Sequence, residues 1–372
     1  MIIGVPKEIK KLEYRVGLTP DKAAQYVKHG HTVYVQKDAG IGSGYSDQEY
    51  VAIGAKILPD IASVYKIAEM IIKVKEPLKD EYALMRDGQI VYTYFHLAAS
   101  LELTQACLKQ KIIAIAYETI RDEKGHLPCL KPMSEVAGRL SIQVGARFLE
   151  KTFGGRGVLL SGVPGVHPGT VVVLGAAGVA GSNAVLLAVG LGAEVYALDI
   201  SEAGLVALKQ QYGEKIHIVK STTENIIDCV KKADLLVSTV LIPGDAAPKL
   251  VKKEYLAMMK PGSVIVDVAI DQGGSTETSH VTYHDAPTYV VDNVIHYCVG
   301  NMPGAVPRTS SEALNNSTIN YGLAIADMGY KKAMRQDAGL ALGLNTDKGK
   351  LCCHPVADFF KLPYTDVKEL IK

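Results

Sequence analysis

The chain has 372 residues, which is long for one core and enough for two domains. Its 40 Lys and Arg residues against 39 Asp and Glu residues leave a net charge of +1, so there is no electrostatic reason to expect nucleic acid or an anionic membrane as a partner. Trp is absent and aromatic residues make up only 6% of the chain, which also argues against a base-stacking surface.

The first part of the chain alternates short apolar runs with longer amphipathic segments, which is typical of an α/β domain with a mostly parallel sheet. We predict strands at Ile2–Val5, Thr32–Val35, Met70–Val74, Gln89–Tyr94 and Ile112–Ala116. We predict helices at Pro20–His29, Asp47–Ala55, Ile61–Ala68 and Ser100–Lys109. Ser134 is then predicted to cap a long helix, from Glu135 to about Lys151, that links two domains.

Residues 170–300 repeat the strand and helix rhythm, and six strands suit a full dinucleotide-binding domain. These strands are predicted at Thr170–Leu174, Glu194–Leu198, Ile216–Val219, Leu235–Val240, Val264–Val268 and Tyr289–Val291. A helical pattern starting at Ser310 is interpreted as a return to the first domain. The predicted fold is α/β, with two Rossmann-like, doubly wound domains and mostly parallel sheets. An NAD-binding domain (129–306) is inserted into a discontinuous catalytic domain (1–128 and 307–372).

One turn of the second domain carries a dinucleotide-binding pattern. Gly175, Gly178 and Gly181 follow a predicted strand and open a small-residue helix, and Asp199 ends the next strand. Such glycines allow a tight turn and let backbone N–H groups approach a pyrophosphate. A 2′-phosphate beside Asp199 would place two negative charges about 4 Å apart, which costs on the order of 4 kcal/mol at an effective dielectric near 20. We therefore predict NAD, and not NADP, as the cofactor.

Four side chains are candidates for substrate chemistry because they lie on loops or at the ends of apolar runs. Arg15 precedes a helix that starts with proline, and Lys75 and His96 follow predicted strands, where ligands bind in open α/β sheets. Asp271 lies in a glycine-rich loop after a predicted strand of the second domain. Taken alone, Arg15 could be a solvated surface residue, Lys75 could extend its amine to solvent, and His96 could be a satisfied core histidine.

No metal site is predicted. Cys352, Cys353 and His354 are adjacent but have no second pair of ligands, and His280 and His284 lack a third ligand. The six cysteines are scattered and form no disulfide framework. The N-terminus has no signal-peptide pattern, and no stretch is long and apolar enough to span a membrane. We therefore expect a cytoplasmic protein with no membrane partner.

Several segments, taken together and in chain order, resemble the alanine dehydrogenase/pyridine nucleotide transhydrogenase family. They are G-V-P-K-E-I at 4–9, Y-R-V-G-L-T-P at 14–20, V-K-E-P at 74–77, Y-F-H-L-A at 94–98, K-P-M-S at 131–134, G-G-R-G-V at 154–158, D-Q-G-G at 271–274 and N-M-P-G-A-V-P at 301–307. The resemblance extends from Met1 to about Pro355. These motifs are long, so they are more specific than the glycine turn.

The resemblance implies reversible, NAD-dependent oxidative deamination of L-alanine to pyruvate and ammonium. It implies that Arg15 and Lys75 bind the substrate carboxylate and carbonyl oxygen. It also implies that His96 is the proton donor and acceptor and that Asp271 is a second acid–base residue. Members of the family are usually cytoplasmic homohexamers. The implied cofactor contacts are Ser134, Val179, Ala180, Asp199, Ser221, Val240, Leu241, Val268, Ala269, Ile270, Asp271, Val299, Gly300, Asn301 and Met302.

Two features depart from the family pattern, and both bear on cofactor affinity. The glycine turn is one residue longer than G-x-G-x-x-G, and His280 stands where the family often has a basic residue.

A second possible function is the soluble nucleotide-binding subunit of a membrane proton-pumping transhydrogenase. The combination of Arg15, Lys75 and His96, and the lack of a C-terminal hydrophobic extension, favour the dehydrogenase. A third is a non-catalytic NAD sensor, supported only by the altered glycine spacing.

Overall fold

The computed structural model describes residues 1–240 and 247–372. The chain forms two compact units, one that is continuous and one that is not. Unit 1 comprises Met1–Met133 and Val306–Lys372, and unit 2 comprises Ser134–Ala305. Each unit is built on one mostly parallel sheet with helices between its strands, so the predicted fold class is confirmed.

The N-terminal part of unit 1 alternates strands with helices. The strands are β1 (Ile2–Val5), β2 (Thr32–Gln36), β3 (Lys56–Leu58), β4 (Met70–Ile72), β5 (Ile90–Thr93) and β6 (Ile113–Ala116). The helices are α1 (Pro20–Lys28), α2 (Asp47–Ala52), α3 (Ile61–Ile67), α4 (Lys79–Tyr82) and α5 (Leu101–Lys109). All five predicted strands and all four predicted helices of this part are confirmed, with small differences at their ends.

Helix α6 (Lys131–Phe148) leads into unit 2, which has seven strands. These are β7 (Thr170–Leu174), β8 (Glu194–Asp199), β9 (Ile216–Lys220), β10 (Leu235–Ser238), β11 (Val264–Asp267), β12 (Thr288–Val291) and β13 (Val294–Tyr297). The remaining helices of unit 2 are α7 (Val179–Gly190), α8 (Glu202–Tyr212), α9 (Thr223–Lys232) and α10 (Lys253–Leu256). The six predicted strands are confirmed, and β13 is additional.

The chain then returns to unit 1 and completes it. This part contains α11 (Pro307–Met328), α12 (Tyr330–Gln336), α13 (Ala338–Ala341), β14 (Leu344–Asp347), β15 (Lys350–Leu351), α14 (His354–Phe360) and α15 (Val367–Leu370). Strand β14 pairs with β6 in antiparallel orientation, so the last part of the chain extends the sheet that the first part began. The predicted return to the first domain is therefore confirmed, and strands β14 and β15 are additional to the prediction.

The prediction that Ser134 caps the long helix is wrong. Helix α6 begins at Lys131, so Ser134 lies inside its first turns. The physical reason is Pro132, because proline lacks an N–H group and has a fixed φ that suits the first turn of a helix. The helix also ends earlier than predicted, at Phe148.

Both sheets have the strand order that creates a ligand site. The order in unit 1 is β3-β2-β1-β4-β5-β6-β14-β15, and the order in unit 2 is β9-β8-β7-β10-β11-β13-β12. In each, the chain builds outward in one direction and then crosses to the other side, between β1 and β4 in unit 1 and between β7 and β10 in unit 2. Ligands of open α/β sheets bind beyond the carboxyl ends of the strands at such a switch point.

The central strands are buried on both faces, as expected for parallel strands covered by helices. Along β4, Met70 and Ile72 contribute to one apolar cluster, and Ile71 contributes to the cluster on the opposite face. This burial fixes the strand ends and the loops that follow them. In the described part of the chain, no helix is both long enough and apolar enough to cross a membrane.

Candidate active site

Lys75 and His96 follow neighbouring strands of unit 1. Strands β4 and β5 are parallel partners, and the two residues lie three positions beyond their ends at Ile72 and Thr93. The hydroxyl of Thr93 donates to the backbone oxygen of Lys75 at 2.9 Å, which ties the two segments together. The structure therefore brings these two predicted residues to the same edge of the sheet, beside the switch point.

Arg15 is buried and paired with a carboxylate that the sequence reasoning missed. Glu13 accepts from Arg15 Nε at 2.7 Å and from Nη2 at 2.6 Å, while Nη1 lies 3.1 Å from the sulfur of Met133. Burial alone would lower the pKa of Arg15, but the hydrogen bonds and charge of Glu13 outweigh burial and raise it. The bidentate pairing fixes the plane of the guanidinium group. The solvated alternative for Arg15 is therefore wrong.

The amine of Lys75 has a lower pKa than that of an ordinary lysine. Burial lowers its pKa, and the positive charges of Arg15 and Lys10 lower it further. The backbone at Lys75 is fixed, because buried Glu8 accepts from the N–H groups of Val74 and Lys75 at 2.6 and 3.3 Å. The ammonium form of Lys75 is thus disfavoured at a fixed position.

His96 is exposed, so the alternative of a satisfied core histidine is wrong. Its ring stacks parallel to the ring of Tyr94, with 5.9 Å between the centroids and 9° between the planes. Its backbone has φ 48° and ψ 45°, in the left-handed region. Glu118 accepts its backbone N–H at 2.6 Å. The imidazole therefore projects from a constrained backbone at the edge where Lys75 lies.

The glycine turn of unit 2 has the geometry of a dinucleotide-binding turn despite its extra residue. Gly175 has φ 77°, which favours glycine, and Gly178 caps α7. A Cβ at Gly181 would lie 2.1 Å from the backbone oxygen of Gly175, so only glycine allows the helix to start so close to the strand. The first N–H groups of α7, including those of Val179 and Ala180, have no partner within the helix and suit a pyrophosphate.

Asp199 accommodates the extra residue of this turn. One carboxylate oxygen accepts from the N–H of Ala177 at 2.9 Å, and the other accepts from the N–H of Ser201 at 2.8 Å. Each carboxylate oxygen can accept a further hydrogen bond, so the side chain can still receive ribose hydroxyls. The nearby amine of Lys220 is paired with Glu202 at 2.6 Å. This arrangement suits an unphosphorylated ribose.

Ser134 lies close to the start of α7 because helices α6 and α7 pack closely together at Gly138. A Cβ at Gly138, one helical turn after Ser134, would lie 2.0 Å from the backbone oxygen of Ala180. Helix α6 therefore crosses the first turn of α7 at near-backbone contact. A glycine inside a predicted helix is the sequence feature that indicates this contact.

Asp271 lies in the 3-10 turn Val268–Gln272 after β11 and is exposed. A Cβ at Gly300 would lie 3.1 Å from its Oδ1 atom, so the carboxylate lies against the predicted segment 299–302. Buried Asp267 accepts from the N–H groups of Ser275 and Thr276 at 2.9 and 3.1 Å, which fixes the chain that follows. The two predicted cofactor segments of this region are thus neighbours.

The remaining predicted cofactor contacts fall into three groups. Ser221 donates its backbone N–H to the backbone oxygen of Asp199 at 2.9 Å, and Val240 lies beside Gly175. Leu241 lies outside the described residues. The others belong to segments 268–271 and 299–302. In these segments the buried residues are Ala269, Ile270, Val299 and Met302, and the half-buried residues are Val268, Gly300 and Asn301.

The two metal-like sequence fragments are explained by other contacts. The thiol of Cys352 is buried, which raises its pKa to about 12, and His354 pairs with Asp358 at 2.8 Å. The ring of His280 stacks on Tyr289, with 3.7 Å between the centroids. Within residues 1–240 and 247–372 there is no group of three His, Cys, Asp or Glu side chains arranged to hold a metal ion.

Both units are doubly wound α/β structures. Unit 2 also has a glycine turn at the N-terminus of α7 and an acid at the end of β8, so the fold is that of a dinucleotide-binding α/β enzyme. Residues 4–137 match the family described as alanine dehydrogenase/PNT, N-terminal domain, and residues 141–354 match the alanine dehydrogenase/PNT, C-terminal domain. The chain belongs to the alanine dehydrogenase/PNT family.

Relatives of known name match the chain along its whole length. The alanine dehydrogenase of Methanococcus maripaludis is 54% identical over 372 residues, and that of Halomonas elongata is 51% identical over 371 residues; each alignment covers 100% of both chains. A solved L-alanine dehydrogenase superposes with a TM-score of 0.94 at 50% identity, covering 97% of this chain and 99% of that one. The transhydrogenase of Sinorhizobium meliloti superposes with a TM-score of 0.81 at 25% identity, covering 94% and 98%.

Proposed function

We propose that the chain catalyses the reversible, NAD-dependent oxidative deamination of L-alanine to pyruvate and ammonium. The observation that carries this proposal is full-length identity of 54% and 51% to two alanine dehydrogenases. The sites of both units are consistent with it. Unit 1 groups a buried arginine, a lysine of lowered pKa and an exposed histidine, and unit 2 has a dinucleotide-binding turn.

In unit 1, Arg15 pairs with the substrate carboxylate and so orients its Cα–H bond. Lys75 contacts the carbonyl oxygen of pyruvate, at a position where burial and the positive charges of Arg15 and Lys10 lower the pKa of its amine. His96 moves the protons that water addition and ammonia release require, because an imidazole can both accept and donate a proton. Asp271 of unit 2 is the second acid–base residue, and its carboxylate stabilises the cationic imine of the substrate.

In unit 2, the predicted contacts hold the cofactor. The N–H groups at the start of α7 bind the pyrophosphate, and Asp199 binds the adenosine ribose. When held there, NAD would supply the acceptor for the hydride of the substrate Cα–H bond. We assign catalysis to unit 1 and cofactor binding to unit 2. We also propose, from the family resemblance, a cytoplasmic homohexamer. Light scattering of the purified protein would check the number of subunits.

The test is NADH formation, followed by absorbance, from L-alanine and NAD+ at alkaline pH. Glycine, L-serine and NADP+ are the comparators. Rapid reduction that requires both alanine and NAD+ supports the proposal. No reduction with any amino acid, together with retained NADH binding, would contradict it and favour the nucleotide-binding subunit of a transhydrogenase.

Asp271→Asn should lower kcat about a hundredfold, because the variant keeps the shape of the side chain but cannot accept a proton or balance a cationic imine. NADH binding, measured by fluorescence titration, should be retained. Asp292→Asn is the matched control, since Asp292 is exposed in the β12–β13 turn of the same unit and Asn tolerates its left-handed backbone. Normal turnover in Asp271→Asn would remove Asp271 from the mechanism.

Asp199→Ala and Asp199→Asn should both reduce the preference for NAD over NADP, by at least about tenfold in the ratio of kcat/KM values, because both remove the charge beside the ribose. Asn keeps an oxygen for the N–H of Ala177, so it should bind NAD more tightly than Ala does. Asp228→Asn, at an exposed position on α9, is the control. An unchanged ratio in both variants would refute the ribose argument.

A further inference from the structure

His96 has a backbone conformation that side-chain-bearing residues rarely adopt. Its φ of 48° and ψ of 45° place it in the left-handed region, where the Cβ atom crowds the following carbonyl. Such conformations persist only where the surroundings impose them, and they concentrate at functional sites. The contacts that impose this one determine where the imidazole points.

One carboxylate holds the backbone at this point. Glu118 accepts from the N–H of His96 at 2.6 Å and from the N–H of Phe95 at 3.1 and 3.2 Å. An anion bound by two successive N–H groups favours a backbone that turns both groups to the same side. On the other side of the residue, the N–H of Ala99 donates to the backbone oxygen of His96 at 2.8 Å.

Glu118 is itself placed by the sheet. It lies in the 3-10 turn Tyr117–Thr119 directly after β6, and β6 is the parallel partner of β5, which leads to His96. The next residue, Thr119, accepts from the side chain of Asn345 at 2.8 Å. Glu118 is therefore a fixed anchor and not a mobile surface acid.

The imidazole has few other constraints. In the part of the chain that the structure describes, neither ring nitrogen of His96 has a hydrogen-bond partner within the protein. The ring stacks on the ring of Tyr94. Its direction is therefore set by the backbone from which it projects, and that backbone is set by Glu118.

We propose that Glu118 is a positioning residue for His96, acting through the two backbone N–H groups that it binds and not through the substrate or the cofactor. This inference rests on the proposed acid–base role of His96. Glu118 thereby supports the step that His96 performs, the transfer of protons during water addition and ammonia release, without exchanging a proton itself.

Glu118→Ala and Glu118→Gln test the proposal in the full-length protein. The Ala variant should lose about tenfold to a hundredfold in kcat, the size expected when a catalytic group is misplaced by about 1 Å. The KM for pyruvate and the Kd for NADH should stay within about twofold, because the loss falls on a step after binding. The Gln variant should regain part of kcat, since its amide oxygen still accepts the N–H of His96. Glu102→Gln, an exposed acid on α5, is the control.

A double-mutant cycle separates positioning from a general structural role. In a His96→Asn background, removing Glu118 should cost no further turnover if Glu118 acts only through the imidazole. An equal loss in both backgrounds, or a wild-type kcat in Glu118→Ala, would overturn the proposal. If His96→Asn alone retains normal turnover, the proposed role of His96 fails instead, and the two failures are thus distinguished.

Discussion

His96→Asn should lower kcat for alanine deamination by about 10²- to 10⁴-fold, the contribution typical of a positioned acid–base group. Asn is the informative replacement because it tolerates the left-handed backbone at this position and removes only the imidazole. NADH should bind as in the unaltered chain, since the proposed cofactor contacts lie in unit 2. Steady-state kinetics and fluorescence titration measure the two quantities.

His126→Asn is the matched control for this change, because His126 is an exposed histidine of the same unit that pairs with Asp122. It should leave kcat unchanged. Turnover near the normal rate in His96→Asn would show that another group moves the protons. A loss of NADH binding in His96→Asn would show instead that the substitution disturbs the fold.

Glu13→Gln should lower the free energy of unfolding by about 3–5 kcal/mol, because it leaves the buried guanidinium of Arg15 without its carboxylate partner. The same change should raise the KM for pyruvate, since the plane of the guanidinium is no longer fixed. Chemical denaturation measures the first effect, and initial rates at varied pyruvate concentration measure the second.

A double variant, Glu13→Leu with Arg15→Met, separates stability from substrate binding. Replacing both members of a buried ion pair by apolar groups is often neutral or stabilising, so this variant should regain most of the lost free energy of unfolding. It should bind pyruvate no better than Glu13→Gln does, because it has no guanidinium. Recovery of the pyruvate KM in the double variant would show that Arg15 does not bind the carboxylate.

Strong periodic features of the sequence were sufficient to predict most of the fold. Buried parallel strands such as β5 and β6 are short, continuous apolar runs, and helix α1 begins at the proline that indicates its start. Strand β3 was missed because it has three residues, none of them fully buried, and leaves no periodic pattern. Strand β13 could have been found, because Asp292 and Asn293 form a two-residue turn with positive φ between two apolar runs.

The site was predictable only in part, because some of its residues belong to no sequence pattern. Arg15, Lys75, His96 and Asp271 belong to long motifs, and the family resemblance assigned their roles. Glu13 and Glu118 belong to the same site by contact alone. Glu118 reaches His96 across 22 positions through the pairing of β5 with β6, and no spacing in the sequence encodes that contact. Contacts of this kind depend on tertiary structure.

The interrupted arrangement of unit 1 has a consequence for biosynthesis. The N–H of Ala114 on β6 donates to the hydroxyl of Thr346 on β14, 232 positions later. At roughly 5–20 residues per second, a ribosome needs on the order of ten seconds or more to supply that partner. Unit 2 is continuous and can fold during this interval. Until β14 is synthesised, one edge of β6 has no strand partner in the nascent chain. Interruption of translation between the two segments therefore exposes a strand edge that favours aggregation.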